Sequence, residues 1–256
     1  MKTRLALLML ASALAASPAL AQETTAPPAI AEAIVAPGRP ADMVALDASR
    51  KPADVVAFFG LARGDDAVDL YAGQGYFTEL MARVVGPEGS VVGTMSVPGY
   101  NNPEARPALD ALVGRNPNVR INAGSPDRFD YPAGSLDFVM MSMSYHDLYF
   151  VSEQYGYPQQ KPRAFLAQVF AALRPGGTVG VIDHVANPGG DTRQVVDTLH
   201  RIDPAVVRAD FEAAGFVLEA ESDLLRMPAD DHTVMVFDPA IRGRTDRIVW
   251  RFRKPG

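Results

Sequence analysis

The sequence contains no cysteine among its 256 residues. This absence excludes disulfides, thiolate metal sites and cysteine nucleophiles, so the stability of the fold must come from packing. A basic run is also missing, and 30 acidic residues outnumber 24 basic ones, which gives a formal net charge of −6. Such an acidic chain is not expected to bind nucleic acid.

Long apolar runs are scarce as well, and the one near the N-terminus is too short to cross a bilayer. A basic start precedes the apolar stretch 5–16, and Ala19-Leu20-Ala21 has the small-x-small pattern of a signal peptidase site. These features predict a signal peptide over residues 1–21, cleaved before Gln22, and export to a bacterial periplasm. An uncleaved anchor is the alternative. After cleavage we expect no contact with the membrane, because no further apolar stretch and no cysteine for a lipid anchor follow.

The rest of the chain combines a short lead-in with one domain. Residues 22–44 are rich in alanine and proline and predict a lead-in, flexible or extended as far as about residue 39, before a domain over 45–256. In that domain, nearly continuous apolar strands such as 136–141 alternate with amphipathic helices such as 162–173. The alternation predicts an α/β fold, a Rossmann-like doubly wound and mostly parallel sheet of about seven strands with helices on both faces.

A glycine-rich turn after the first strand of this domain is the first candidate ligand site. Gly73 and Gly75 allow the backbone to approach a ligand where a Cβ would collide with it. Asp69, just inside the end of the strand, can accept hydrogen bonds from a ligand amine or from N–H groups of the loop. A tight strand-to-helix turn without any ligand is the structural alternative.

The order and spacing of several segments resemble the class I S-adenosylmethionine-dependent methyltransferases. The turn 69–75 is similar to the first motif of that family, and its later motifs resemble segments 124–127, 136–139, 165–178 and 212–216. The chain is also similar to a group of exported predicted methyltransferases, marked by Tyr145-His146-Asp147, Asp183-His184 and residues 238–243. The resemblance implies an enzyme that transfers a methyl group from S-adenosyl-L-methionine to a small-molecule acceptor. It also implies cofactor contacts from Asp69, Tyr71, Gly73, Gly75, Thr94, Ser125 and Asp127.

One departure from the family concerns the end of the second strand, which usually carries an acidic residue that holds the ribose hydroxyls. Residues 91–96 read Val-Val-Gly-Thr-Met-Ser and contain no carboxylate. Thr94 or Ser96 can supply one hydrogen bond, but a neutral hydroxyl is a weaker partner than a carboxylate. We therefore expect weak cofactor binding. The missing acid and the missing third glycine also argue against a nicotinamide-dependent oxidoreductase.

Two histidine–aspartate pairs follow the fourth and fifth strands. The tips of neighbouring parallel strands bring His146, Asp147, Asp183 and His184 to one rim that faces the glycine turn. In one interpretation, His146 or His184 is a general base for an O–H or N–H acceptor, and Asp147 or Asp183 orients it. In another, the rim binds a divalent metal, although no dedicated metal motif is present and we assign no metal ligand. In the third interpretation, each histidine has only a structural role and its ring nitrogens are hydrogen-bonded within the fold.

Further polar and aromatic residues leave alternatives open. His200 and His232 are more readily explained as structural. Tyr145, Tyr149, Tyr155 and Tyr157 either line an aromatic acceptor pocket or cover the core. Asp246 with Arg242, Arg244 and Arg247 predicts an ion network on the surface. The second function class is a non-catalytic or metal- or small-ligand-binding exported protein on the same fold.

Overall fold

The computed structural model describes residues 19–20 and 26–256. Within these residues the helices are α1 (Pro28–Val35), α2 (Ala41–Ala45), α3 (Asp47–Arg50), α4 (Pro52–Phe59), α5 (Tyr76–Val85), α6 (Val97–Tyr100), α7 (Arg106–Arg115), α8 (Pro162–Ala172), α9 (Thr192–Leu199) and α10 (Pro204–Ala213), and a 3-10 turn covers His146–Leu148. The strands are β1 (Ala19–Leu20), β2 (Asp66–Leu70), β3 (Ser90–Ser96), β4 (Val119–Gly124), β5 (Leu136–Ser142), β6 (Leu173–His184), β7 (Val217–Ser222) and β8 (Arg247–Arg253).

All of these strands belong to one sheet, in the order β1-β7-β8-β6-β5-β2-β3-β4. The five strands from β4 to β6 are parallel, and β8 lies antiparallel between β6 and β7. The predicted mostly parallel sheet of about seven strands is therefore confirmed, with β2 to β8 as its members. The two-residue β1 extends the edge beside β7 and lies inside the predicted signal peptide. Most of that peptide and its cleavage site lie outside the described residues, so both stay predictions.

Helices cover both faces of the sheet, because its central strands bury apolar side chains on each side. Phe165, Val169 and Phe211 of α8 and α10 pack on one face. Val55 of α4 and Leu80 of α5 pack on the other. Each large apolar side chain buried in this way contributes about 1.5–3 kcal/mol relative to its exposure to water. No helix among residues 26–256 combines the length and the apolar character that a membrane span requires.

The N-terminal segment is folded onto the domain. Residues 28–35 form a helix that begins with Pro28, and its Ile34 is 2% exposed in the same core as α4 and α5. Further on, both Nη atoms of Arg39 donate to the Asp47 carboxylate at 2.7 Å, and the Tyr76 hydroxyl donates to the same group at 2.7 Å. The expectation of a flexible or extended segment is therefore wrong for residues 28–35. The boundary at residue 44 stays a prediction.

Candidate functional site

A cavity of about 860 Å³ opens at the C-terminal ends of the parallel strands. It is lined by the turn after β2, the end of β3, the residues that follow β5 and β6, and side chains of α2 and α3 such as Met43 and Arg50. Parallel α/β sheets bind their ligands at this edge, and the volume is in the range of small-molecule sites. The N-terminal helices thus form part of the wall of the candidate site.

The two glycines of the turn after β2 have different surroundings. Gly73 has φ +57° and lines the cavity, and a Cβ built on it would meet nothing within 4 Å. Gly75 has φ +79°, and a Cβ there would lie 2.3 Å from Cδ2 of Leu112. Gly75 is also absent from the cavity wall among the described residues. Gly73 therefore leaves room for a ligand, whereas Gly75 is required for the packing of α5 against α7.

Asp69 lies beneath this turn and faces the cavity at 2% exposure. Its Oδ2 accepts a hydrogen bond of 2.7 Å from the Thr78 hydroxyl. Burial raises the pKa of Asp69 to about 6, although Thr78 and the charge of Arg50 favour its ionised form. A buried carboxylate on a cavity wall is suited to accept hydrogen bonds from a cationic amine.

The other predicted cofactor residues are only partly brought to the cavity. Tyr71 lines it, has φ +53°, and donates its hydroxyl to the Pro126 carbonyl at 2.5 Å. Thr94 does not line it, because its Oγ1 accepts the backbone N–H of Tyr71 at 3.1 Å and so anchors the turn. Ser125 and Asp127 are also outside the described wall and bond to each other, Oγ to Oδ1, at 2.5 Å.

The end of β3 reaches the cavity through the two residues after Thr94. Met95 and Ser96 line the wall, and the Ser96 hydroxyl oxygen accepts the backbone N–H of Gly99 at 3.1 Å. This strand end therefore presents to a ligand a thioether and a hydroxyl whose oxygen already accepts one hydrogen bond.

Asp183 organises the rim that follows β5 and β6. It is 0% exposed, and its Oδ1 lies 2.7 Å from Nδ1 of His146. The backbone N–H groups of His146 and His184 also donate to this carboxylate, each at 2.8 Å. Burial alone would raise the pKa of Asp183, but the charge and hydrogen bonds of His146 lower it below the usual value. Because an ionised carboxylate only accepts, Nδ1 of His146 carries a proton.

Asp147 lies on the other side of the His146 ring, with Oδ1 at 3.5 Å from Nε2. Burial lowers the pKa of His146, but the charges of Asp183 and Asp147 outweigh this effect and raise it to about 9. Burial also raises the pKa of Asp147, to about 6, against the opposite influence of His146. At neutral pH the ring is therefore an imidazolium and Asp147 is mostly ionised. His146 is thus not a free base.

His184 has a different environment at the same rim. Its Nδ1 lies 2.8 Å from Oγ1 of Thr245, and its ring centroid is 6.2 Å from that of His146. Burial lowers the pKa of His184 to about 3, so the ring is neutral and a poor proton acceptor at neutral pH. Among residues 19–20 and 26–256, no three histidine, aspartate or glutamate side chains are grouped closely enough to hold a metal ion.

His200 belongs to the cavity although the sequence favoured a structural role. Its ring centroid lies 5.6 Å from that of His146 and 5.0 Å from both Phe150 and Phe237. Its Nδ1 is buried and has no hydrogen-bond partner among the described residues. His232, in contrast, contacts Asp246 at 3.2 Å outside the cavity wall.

Residues 150–160, called the flap here, cover the cavity. Backbone hydrogen bonds of 2.8 Å join Ser152 and Tyr157 in both directions, and Gly156 packs against Pro98 of α6. Arg193 of α9 holds the base of the flap, because it donates to the carbonyls of Tyr149, the residue before the flap, and Gln160, its last residue, each at 2.8 Å. Of the four tyrosines, Tyr155 and Tyr157 line the cavity, whereas Tyr145 and Tyr149 donate to Asp210.

The arginines of the C-terminal region are not arranged as the sequence predicted. Asp246 pairs with Arg226 at 2.8 Å and with His232, and makes no ion pair with Arg242, Arg244 or Arg247 among the described residues. Arg242 and Arg247 instead line the cavity, together with Arg50 of α3. The prediction of a surface ion network is therefore wrong.

Comparisons with known proteins give matches in structure alone. No family model matches the sequence, and no curated protein does. A SAM-dependent methyltransferase from Aquifex aeolicus is 18% identical with a TM-score of 0.56, over 84% of this chain and 99% of that one. The 4+2 cyclase SpnF is 18% identical with a TM-score of 0.59, over 81% of each chain.

A third match is a methyltransferase that was solved with ligands. The 1,6-didemethyltoxoflavin-N1-methyltransferase of Burkholderia thailandensis, with bound 1,6-didemethyltoxoflavin and S-adenosylhomocysteine, is 18% identical with a TM-score of 0.54, over 84% of this chain and 80% of that one. At such identities the likeness establishes the fold, which is that of S-adenosylmethionine-dependent methyltransferases. One structural neighbour is named as a cyclase, so the function must be argued from the site.

Proposed function

We propose that the protein transfers a methyl group from S-adenosylmethionine to an O–H or N–H group of a small-molecule acceptor. One observation carries the proposal: His146 and Asp147, with Asp183 bonded to His146 from behind (the His146 array), line the same cavity as the open turn at Gly73. The likeness in fold to methyltransferases, one of them with bound S-adenosylhomocysteine, supports it.

The residues on the cofactor side suit this ligand. The space beside Gly73 admits a group close to the backbone, and Asp69 offers a buried carboxylate to the amine. S-adenosylmethionine, when bound, supplies a methyl group on a sulfonium sulfur, which is already a good leaving group. The protein must therefore supply mainly alignment and exclusion of water.

Asp147 is the residue that we assign as proton acceptor. Its pKa of about 6 places an ionised carboxylate in the cavity near neutral pH, which is the condition for efficient general-base catalysis. As the acceptor atom uses a lone pair to form its bond to the methyl carbon, the carbon–sulfur bond would break with its electron pair on sulfur, and the proton of the acceptor atom would pass to Asp147. His146, held as an imidazolium by Asp183, stabilises the negative charge that develops on that atom. The histidine and aspartate roles are thus exchanged relative to the expectation from sequence.

The flap supports this chemistry by keeping water away. Phe150, Tyr155 and Tyr157 place aromatic rings on the cavity wall. An apolar wall strengthens the electrostatic interactions of the His146 array with a ligand.

The proposal includes export to a periplasm. It rests on the signal-peptide pattern of residues 1–21 and on the similarity of the His146 and His184 motifs to those of exported predicted methyltransferases.

The experiment that tests the cofactor assignment is a calorimetric titration with S-adenosylhomocysteine, in which Gly73→Ala is compared with Gly134→Ala. Gly134 has φ +67°, and its Cβ would also meet nothing within 4 Å, but it is outside the described cavity wall. Both variants therefore introduce a similar backbone strain of about 1–2 kcal/mol.

We expect the wild type and Gly134→Ala to bind alike and Gly73→Ala to bind at least tenfold more weakly, because only its methyl group enters the ligand space. Absence of binding by the wild type would overturn the proposal. Equal weakening in both variants would show that Gly73 acts through stability alone.

A further inference from the structure

Arg247 is a buried cation that forms no ion pair with a carboxylate of the described residues. It is 4% exposed, and its side chain donates only to the backbone carbonyls of Ser49 at 2.8 Å and Thr245 at 3.3 Å. The other deeply buried arginine, Arg201, is 0% exposed and has both Nη atoms bonded to Asp230, at 2.9 and 3.0 Å. Buried guanidinium groups are normally paired in this way. Arg247 lines the cavity, and the charge of Asp246 acts on it without any hydrogen bond or ion pair between the two side chains.

Two further arginines accompany Arg247 on the cavity wall. Arg50 stacks on the Tyr76 ring at 4.3 Å, and neither Arg50 nor Arg242 forms a side-chain hydrogen bond or ion pair with another described residue. Burial, and then the charge of Arg50, lower the pKa of Arg247 to about 10. The pKa of Arg50 is lowered by burial, with a contribution from Arg242. Arg50 and Arg247 therefore repel each other, and Arg242 adds to the repulsion on Arg50.

Arg50, Arg242 and Arg247 are called the arginine cluster here, and Arg247 connects it to the rim that follows β5 and β6. Arg247 of β8 is directly opposite His184 of β6 in the antiparallel ladder, so both side chains point to the same face of the sheet. Thr245, which contacts the His184 ring, also lines the cavity.

The charged residues that line the cavity carry an excess of positive charge. Three guanidinium groups and the His146 imidazolium stand against two carboxylates on the wall, Asp69 and Asp147, and Asp183 lies behind the wall, bonded to His146. An anionic group bound by the arginines of the wall would reduce this excess.

We propose that Arg242 and Arg247 bind an anionic group, a carboxylate or a phosphate, on the acceptor, whose apolar body lies against the rings of Phe150 and Phe237. That the ligand is a methyl acceptor rests on the proposed function, whereas the binding of an anion at this place does not. Guanidinium groups suit both anions because they can donate two parallel hydrogen bonds. The cavity wall combines these cations with the aromatic side chains that such a body needs.

The test is calorimetry of three probes with the same ring, benzoate, phenyl phosphate and benzamide, on the full chain without cofactor. The variants are Arg242→Gln and Arg247→Gln, singly and together. Arg244→Gln is the matched control, because Arg244 is exposed, close in sequence and outside the described cavity wall. S-adenosylhomocysteine is titrated into each variant as well.

We expect at least one anionic probe to bind more tightly than benzamide. Each Arg→Gln change in the cavity should weaken that probe about ten- to a hundredfold, the scale of a charge-assisted hydrogen bond, and leave benzamide and the Arg244→Gln control unchanged. The stronger of the two anions identifies the group.

Three results would overturn the proposal: no preference for either anion in the wild type, equal weakening of anions and benzamide, or weakening of S-adenosylhomocysteine in place of the anions. Weakened binding of S-adenosylhomocysteine would show that the arginine cluster binds the carboxylate of the cofactor. Failure of S-adenosylhomocysteine to bind at all, with the anion preference intact, would reject methyl transfer and retain the anion site.

Discussion

The substitution Asp183→Asn tests the electrostatic design of the rim directly. The change keeps the size of the side chain and removes the charge that lies 2.7 Å from Nδ1 of His146. Loss of a charge-assisted hydrogen bond costs about 1.5–3 kcal/mol. One pKa unit corresponds to about 1.4 kcal/mol. We therefore expect the pKa of His146 to fall from about 9 to between about 7 and 8.

The raised pKa of His146 also makes the free energy of unfolding depend on pH. The folded-state pKa of His146 is raised above its unfolded value of about 6.5, so its contribution is fully present below pH 6.5 and is lost as pH rises through 9. For the wild type this loss amounts to about 3 kcal/mol, and for Asp183→Asn to about 1 kcal/mol. The pKa values of Asp69 and Asp147 are near 6, and that of His184 is lowered to about 3. None of these groups therefore hides the loss of stability expected from His146 between pH 6.5 and pH 9.

Urea unfolding at pH 6.5 and pH 9 measures the effect, with the fluorescence of Trp250, the one tryptophan, as the probe. Titration of the His146 ring by NMR gives its pKa independently. Asp147→Asn is the control, because its carboxylate is 3.5 Å from the ring and should lower the pKa less. A wild-type stability that is the same at both pH values, or an equal loss in wild type and Asp183→Asn, would refute the reasoning.

Two further predictions follow from the proposed function. In a radiolabel assay with S-adenosylmethionine and hydroxybenzoates, Asp147→Asn should lower the rate about 100-fold or more and remove the rise of rate with pH near 6, while S-adenosylhomocysteine binds as before; an unchanged rate would show that another group accepts the proton. For export, N-terminal sequencing of the protein from an exporting cell should begin at Gln22, and a start at Met1 would contradict the signal peptide.

The fold was predictable because strands that are buried on both faces of the sheet consist of nearly continuous apolar residues. Strand β5 is apolar from Phe138 to Met141 since α-helices cover both of its sides. Composition misled at the N-terminus. The proline-rich lead-in suggested extended chain, but Pro28 stands at the first position of a helix, where its missing N–H costs nothing. Contacts of this helix with α5, in the core that contains Ile34, then stabilise a segment that is rich in alanine but too short to be a stable helix alone.

The location of the site was predictable from the sequence, but the directions in which its side chains point were less so. Topology brought His146 and Asp183 together, as expected for neighbouring strand ends. Asp246 and Arg247 are adjacent in sequence and suggested an ion network, yet Asp246, just before β8 begins, pairs with Arg226, whereas Arg247 lines the cavity. Thr94 is at the predicted strand end but turns its hydroxyl to the backbone of Tyr71. No local pattern marks His200, whose place in the cavity depends on contacts with Phe150 and Phe237.

The attachment of the flap determines how the cavity exchanges its contents. Arg193 fixes the base of the flap to α9, so the segment behaves as a short closed loop. The contact at its tip, between Gly156 and Pro98, involves no side-chain hydrogen bond. Lifting the tip therefore breaks far less than releasing the base would. Such loop motions occur in nanoseconds to microseconds, so a ligand can enter or leave between the flap and α6 while the sheet and the His146 array keep their geometry.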